Sequence, residues 1–472
     1  MLRFRAPAAL LLLALSGCAD MGSVKPQAQL TPAAQLATGA AIAAAPPAAW
    51  PEETWWQALG DRQLDRLVAA AIQDNPSLKA AQARVRQAEA LAGAAEAATG
   101  PRVDASAAAN RERYSAHGTT PPPLAGHWAW RNAASATASY DLDLWGRNRD
   151  LLAAALDEAH MAAAEAQLAR LSLETAVVRS YVQLWLAHAQ HDAVADSLAQ
   201  RQRILDIVRR RHAAGLATEA DVAAIETTLP AGRREQEQLN QSLTLLRHQL
   251  AALIGKGPGD GDAIVRPALA LQAGYGLPGN LPAELVARRP DLVAQRWRVE
   301  AASHGIAAAR ADFYPNINLV AFAGLQSLGF SKFLNAASQT RGIAPALSLP
   351  IFDGGRLRSQ LGNRSAQYDM AVEQYNATLV QALSEVASAV ARMQSEREQQ
   401  KLAEQAMSTA SRSQDLAERS YKAGMNDALA MLNARLVLLN EQQQLLQVQS
   451  RCMDTYATLM AALGGGIKLD FP

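Results

Sequence analysis

His188 and His191 stand three residues apart, a spacing that puts two imidazoles on one helix face and could grip a divalent metal. No third ligand follows at a usable spacing, so the pair reads as part of a solvated helix face. Gly255-Lys256-Gly257-Pro258 has the residue types of a phosphate-cradling loop. It lacks correctly spaced glycines and a Ser or Thr after the lysine. No Gly-x-Ser-x-Gly occurs. No catalytic residue, metal or cofactor is expected, and the chain does not read as an enzyme.

The N-terminus carries a different chemistry. Arg3 and Arg5 precede an apolar run, Ala6 to Leu15, too short to span a bilayer stably. It ends in Leu15-Ser16-Gly17-Cys18, which resembles a bacterial lipobox. A signal peptide is therefore expected over residues 1–17, with Cys18 acylated by palmitate-class chains. Ala19 after the cysteine points, by resemblance to lipoprotein sorting rules, to the outer membrane. Residues 18–50, rich in Ala, Pro and Gln, read as lipid anchor and tether. The other cysteine, Cys452, has no disulfide partner once Cys18 is acylated.

The elements that follow are set by composition and period. Of 472 residues, 45 are Lys or Arg and 44 are Asp or Glu, with no basic cluster, which argues against nucleic acid. Abundant alanine and few aromatics favour long helices. The chain also repeats itself. Asn75-Pro76-Ser77-Leu78 and Pro101 reappear as Arg289-Pro290-Asp291-Leu292 and Pro315, an offset of 214 (290 − 76, 315 − 101). Gly146-Arg147, Ala214-Gly215 and Ile254-Gly255 reappear as Gly355-Arg356, Ala423-Gly424 and Leu463-Gly464, an offset of 209 (356 − 147, 424 − 215, 464 − 255). This is a duplicated architecture: a first repeat at 51–255, a connector at 256–282 and a second repeat at 283–472. The length change lies between Pro101 and Gly146, a loop-bearing stretch.

Each repeat predicts helix, β-hairpin, very long helix, tight turn and returning helix. Asp61 to Ala98 is helical and ends at Gly100-Pro101. Val103, Ala105, Ala107 and Ala109 alternate with polar residues, as do Ala134 to Leu144; Ile317 to Ala321 and Ile343 to Leu349 do the same in the second copy. Arg111 to Arg131 reads as the intervening loop, with Trp128 and Trp130 where an interfacial aromatic belt would lie. Arg147 to His212 and Arg356 to Tyr421 predict helices of roughly 100 Å at ~1.5 Å per residue, Gly362 being a weak spot. Returning helices are expected from Thr218 to Ile254, kinked at Pro230, and from Asp427 to Leu463. Four strands cannot cross lipid with open edges. Three chains would supply twelve strands, within the range of membrane barrels.

Trp55-Trp56 with Asp61 and Leu64, the Asn75-Pro76-Ser77-Leu78 start, Leu142-Asp143-Leu144-Trp145-Gly146-Arg147, Leu349-Pro350-Ile351-Phe352-Asp353-Gly354-Gly355-Arg356 and the two Ala-Gly turns resemble the TolC-like outer-membrane efflux proteins. The nearest branch is the NodT-type lipoproteins, over about residues 52–466. The resemblance implies a mainly α chain with a membrane β-barrel. Its homotrimer would form a twelve-stranded β-barrel in outer-membrane lipid and a twelve-helix periplasmic α-barrel. An inner-membrane transporter and a periplasmic adaptor would dock at the tip. The implied function is a passive exit duct for drugs or other small organic molecules, with multidrug resistance as phenotype. The alternatives are the exit duct of a type I protein secretion system, and a periplasmic coiled coil that conducts nothing.

The family's tip turns match Ala214-Gly215-Leu216 and Ala423-Gly424-Met425, which the resemblance assigns to adaptor docking. A turn glycine supplies the positive φ that reverses the chain, and Leu216 and Met425 are apolar knobs for a partner groove. The gate departs from the family. Its acidic positions fall here on Ala430 and Asn433, and a basic residue that helps lock the tip is Asn426. The nearest acids are Glu219, Asp221 and Asp427, so Asp221, Asp427 and Asn433 are the expected aperture residues. Three Asp427 carboxylates would favour cations; the same residue would also cap the returning helix.

Overall fold

A computed structural model describes residues 21–271, 274, 276–279 and 281–467, with the side chains of 282 and 283 excepted. The signal peptide and Cys18 lie outside the described residues. The chain divides into two units. One comprises Met1–Leu30, Arg84–Ala162 and Gln295–Tyr375; the other comprises Thr31–Ala83, Ala163–Ala294 and Asn376–Pro472. Among the described residues no helix is long and apolar enough to cross a membrane.

The first unit holds the sheet. Its four alternating segments become β1 (Arg102–Arg113), β2 (Trp128–Asp141), β3 (Asn316–Leu328) and β4 (Gln339–Ser348), antiparallel and in that order. The register sorts their faces. Val103 stands opposite Ala138, Ala138 opposite Ala321 and Ala321 opposite Ile343, and Tyr140, Leu319 and Leu347 share that side. The other side carries Asp104, Ser106, Ser135, Thr137, Asn316, Asn318 and Thr340. Phe322 is an apolar exception that lies over Gly342, where a Cβ would come within 2.8 Å of its ring. Pro345 is tolerated because β4 is an edge strand. The hairpin reaches further than the sequence predicts. Arg111 pairs with Trp130 and Arg113 with Trp128, so both tryptophans belong to β2 and the loop shrinks to 114–127. The guanidinium of Arg111 over the Trp128 ring and an Arg131–Glu112 ion pair reinforce this end of the ladder.

The helices follow the repeat. The first copy has α1 (Arg62–Asp74), α2 (Pro76–Ala97), α3 (Arg147–Ala213), α4 (Glu219–Glu226) and α5 (Thr228–Leu253). The second has α6 (Leu281–Arg288), α7 (Pro290–Ala311), α8 (Arg356–Lys422) and α9 (Ala428–Ala462). Two expectations are corrected. The helix over Asp61–Ala98 is two helices, because Pro76 pushes Asn75 into extended backbone. The first returning helix breaks at Thr227, a turn before Pro230, and the proline falls in the first turn of α5, where its missing N–H costs nothing. Gly362 leaves α8 unbroken over its 67 residues.

Within the first unit, both long helices start from a carboxylate cap. Asp143 accepts from the amides of Asn148 and Arg149, each at 3.0 Å, and Asp353 from Gly355 and Leu357 at 3.0 and 2.8 Å. Gly146 and Gly355 take φ of +80° and +90° at these corners. Residues 21–28, expected as free tether, instead form a strap. Met21 and Val24 pack against Ile306, Phe313, Leu357 and Leu361, and Asp369 of α8 accepts from the amides of Gln27 and Ala28, both at 2.9 Å. A carboxylate aimed at two backbone donors fixes a segment that periodicity leaves blank.

The second unit turns on a duplicated node. Asn75 Oδ1 caps α2 through Ser77 and Leu78, and its Nδ2 donates to Leu253 O at 2.9 Å. At the matching place Arg289, 8% exposed, donates to Ala462 O at 3.1 Å, to Asp291 at 2.7 Å and to Glu385 at 2.9 Å. Burial opposes its charge, but the two carboxylates hold its pKa above the ordinary guanidinium value. Gly255 and Gly464 close the node with φ of +73° and +92°; a Cβ would sit 2.6 Å from Asp74 O and 2.3 Å from Arg288 O. Gly464→Ala should therefore cost about 2 kcal/mol or more from backbone strain and collision. Gly362→Ala, where a Cβ meets nothing within 4 Å, should stabilise by about 0.5–1 kcal/mol. Thermal unfolding of the two purified variants checks both signs.

Candidate functional site

The helix reversals lie at one end of the second unit and are built alike. After α3, Leu216 N bonds Arg211 O at 2.8 Å and Gly215 N bonds His212 O at 2.9 Å. After α8, Met425 N bonds Ser420 O at 2.9 Å and Gly424 N bonds Tyr421 O at 3.0 Å. Each is a Schellman closure, with Gly215 at φ +71° and Gly424 at φ +72° supplying the left-handed residue. Ala214 and Ala423 are exposed beside them. The closures leave Leu216 71% exposed and Met425 77% exposed.

The starts of the returning helices differ. Thr218 and Asp221 form a capping box: Thr218 Oγ1 accepts from Asp221 N, and Asp221 Oδ2 accepts from Thr218 N at 2.8 Å. The Thr218 amide, and then the Thr218 hydroxyl donating to the same Oδ2 at 2.7 Å, hold the Asp221 carboxyl below its ordinary value. In the second copy Asp427 Oδ1 accepts from Ala430 N at 2.9 Å, and its Oδ2 pairs with Arg211 at 2.8 Å. The Ala430 amide and then Arg211 lower its pKa. Asp427 is thus a cap whose charge is already met by a guanidinium, rather than an open carboxylate. The position matching Arg211 in the second copy is Ser420, so the ion pair exists in one direction only. Glu219 reaches His212 at 3.2 Å, and Asn433 is exposed on α9.

Beneath the turns, Ile204, Leu205 and Val208 of α3, Val222 of α4, Leu229 of α5 and Leu432 of α9 form one buried cluster that joins the copies. Gly232 lets α5 approach α3, since a Cβ there would meet Leu198 at 2.6 Å. The sequence marked the turns through Ala-Gly but carried no sign of Arg211. That residue gains a role only because both turns come to one end.

No group of acid, His and Cys side chains among the described residues could hold a metal. His188 is pushed below the ordinary imidazole value by burial and then by Arg247 and Arg266, whose charges would also repel a cation. The arrangement offers two exposed apolar side chains, a helix cap and a charge pair, none of which makes or breaks bonds.

Residues 67–256 and 281–465, nearly the two repeats, match the family model described as outer membrane efflux protein. The fusaric acid resistance protein FusA of Burkholderia cepacia is 44% identical over 358 residues, covering 75% of this chain and 68% of FusA. The multidrug resistance outer membrane protein MdtQ of Escherichia coli O157:H7 is 34% identical over 395 residues, 79% of each. The outer membrane protein VceC of Vibrio cholerae superposes with a TM-score of 0.81 at 35% identity, covering 88% of this chain and all of VceC. The chain belongs to the outer membrane efflux protein family.

Proposed function

We propose that the chain is the passive exit duct of a tripartite efflux pump, anchored in the outer membrane through Cys18 and carrying small organic molecules. One observation carries this reading: a four-stranded sheet with one apolar face, one polar face and two edges, β1 and β4, unpaired among the described residues. Such edges are prohibitively costly in lipid, and three copies close them into a twelve-stranded barrel. The homotrimer also gathers the long helices of both repeats, 51–255 and 283–472, into a twelve-helix periplasmic tunnel. The names of FusA and MdtQ, both resistance proteins, support small molecules over secreted proteins as cargo.

The turns are the proposed docking tip. Leu216 and Met425 enter a groove of a periplasmic adaptor, which couples the duct to an inner-membrane transporter. Asp221, Asp427 and Asn433 ring the aperture, and the Arg211–Asp427 pair holds it shut in place of the basic residue that Asn426 lacks. Replacing Leu216 and Met425 together by Asp should abolish pump-dependent resistance while trimers still reach the outer membrane. Unchanged resistance would remove the docking role.

Arg211→Gln and Asp427→Asn should both raise single-channel conductance in planar bilayers, and by similar amounts, because asparagine still caps α9 and each change removes the same ion pair. Conductances equal to the parent protein would show that the pair holds nothing. The Asp427 pKa is depressed, so its contribution is present above the ordinary carboxyl value of 3.8 and is lost only as pH falls through the lower folded value. Acidification from about pH 7 to about pH 5 should therefore leave this contact intact, and conductance that rises with Asp427→Asn should not rise with that pH step.

A further inference from the structure

Within the unit that carries the sheet, α3, α7 and α8 enclose an open trough of about 510 Å³. Its floor is α7, where Ala301, Ala302 and Gly305 present little side chain. Met161 and Met370 wall it, and Met370 is 65% exposed. Arg364 stands over this apolar floor; Arg298, whose Nη1 donates to Gln295 Oε1 at 3.3 Å, is a lining residue engaged with partners of its own, and Glu158 is the one carboxylate among the lining residues. The Arg364 side chain lies across Gly305, where a Cβ would be 3.7 Å from its Cδ. Its Nη1 donates to Gln367 Oε1 at 3.0 Å, a neutral amide that leaves the positive charge available.

The trough and the strap occupy opposite sides of α8. At about 100° per residue, Arg364, Gln367, Ala371 and Gln374 stand roughly 170° round the helix from Arg358 and Asp369; Arg358 lies beside Gly22 and Asp369 holds Gln27 and Ala28. In the duct proposed above, a strap continuous with a lipid-anchored N-terminus runs outside the wall. The trough then opens to the bore.

We propose that this trough is a transient binding site for amphipathic organic monoanions, and the proposal rests on the duct reading. The apolar body lies on the Ala-Gly floor between the two methionines, whose flexible thioethers fit varied shapes. The anionic head meets Arg364. Sites of this kind stay weak because their charges are partly solvated, as a duct requires if cargo is to leave.

Planar bilayers containing the full-length trimer test it with two probes of matched body and opposite charge, 4-butylbenzoate and 4-butylbenzylammonium. The benzoate should reduce current saturably and the ammonium should not. Arg364→Gln should raise the half-blocking benzoate concentration about fivefold. Equal block by both probes, no block by either, or block indifferent to Arg364→Gln would overturn the site. Trimers that come apart in Arg364→Gln would show that a neighbouring copy covers the trough, which overturns it too. A protein that forms no channels would sink the duct reading instead, and so stands apart from the failure of the site.

Discussion

Unpaired backbone at the sheet edges is the constraint on which the rest of this structure depends. β1 and β4 each present a row of N–H and C=O groups, and the sheet between them has an apolar face of alanine, valine, leucine and isoleucine. Water would satisfy the edges but not that face, and lipid would satisfy the face but not the edges. Closure with other copies would meet both demands, and the proposed trimer and barrel follow from that one conflict.

Duplication gives the chain economy, and the departures from it give the molecule direction. Asn75 and Arg289 occupy the same node and reach the same carbonyl of the returning helix, yet one is a neutral amide cap and the other a buried cation between two carboxylates. Thr218 and Asp427 both cap returning helices, but only Asp427 pairs with the opposite turn. In the proposed trimer a perfectly repeated chain would place six equal turns at the tip. These substitutions would make them two kinds of three, and the charged contact runs from the first copy to the second and not back.

The strap shows a different economy. Backbone amides of Gln27 and Ala28 need acceptors, and Asp369 supplies both from one side chain. The segment thereby gains a fixed course along α8 without forming regular structure. This leaves the opposite side of α8 free of any part of the strap, and there the small residues of α7 let a trough form.

Much of this was legible in the sequence, because the controlling interactions are local. Period-two alternation marked all four strands, a run without proline or glycine marked α3, and Gly215, Gly424, Gly255 and Gly464 marked each reversal through the backbone conformation they alone adopt cheaply. Where local signals compete, the chain alone misleads: the cross-strand pairing of Trp128 and Trp130 with Arg113 and Arg111 is invisible along it, and the break at Thr227 comes a turn before Pro230, which sits where a helix start tolerates it. The sequence by itself thus determined the repeat, the element types and the positions of the turns. Only the tertiary structure decided that Asp427 meets Arg211, that Arg289 bridges Glu385 and Ala462, and that Asp369 holds the strap. These partners lie many tens to hundreds of residues apart, and a contact across that distance leaves no spacing in the chain from which to read it.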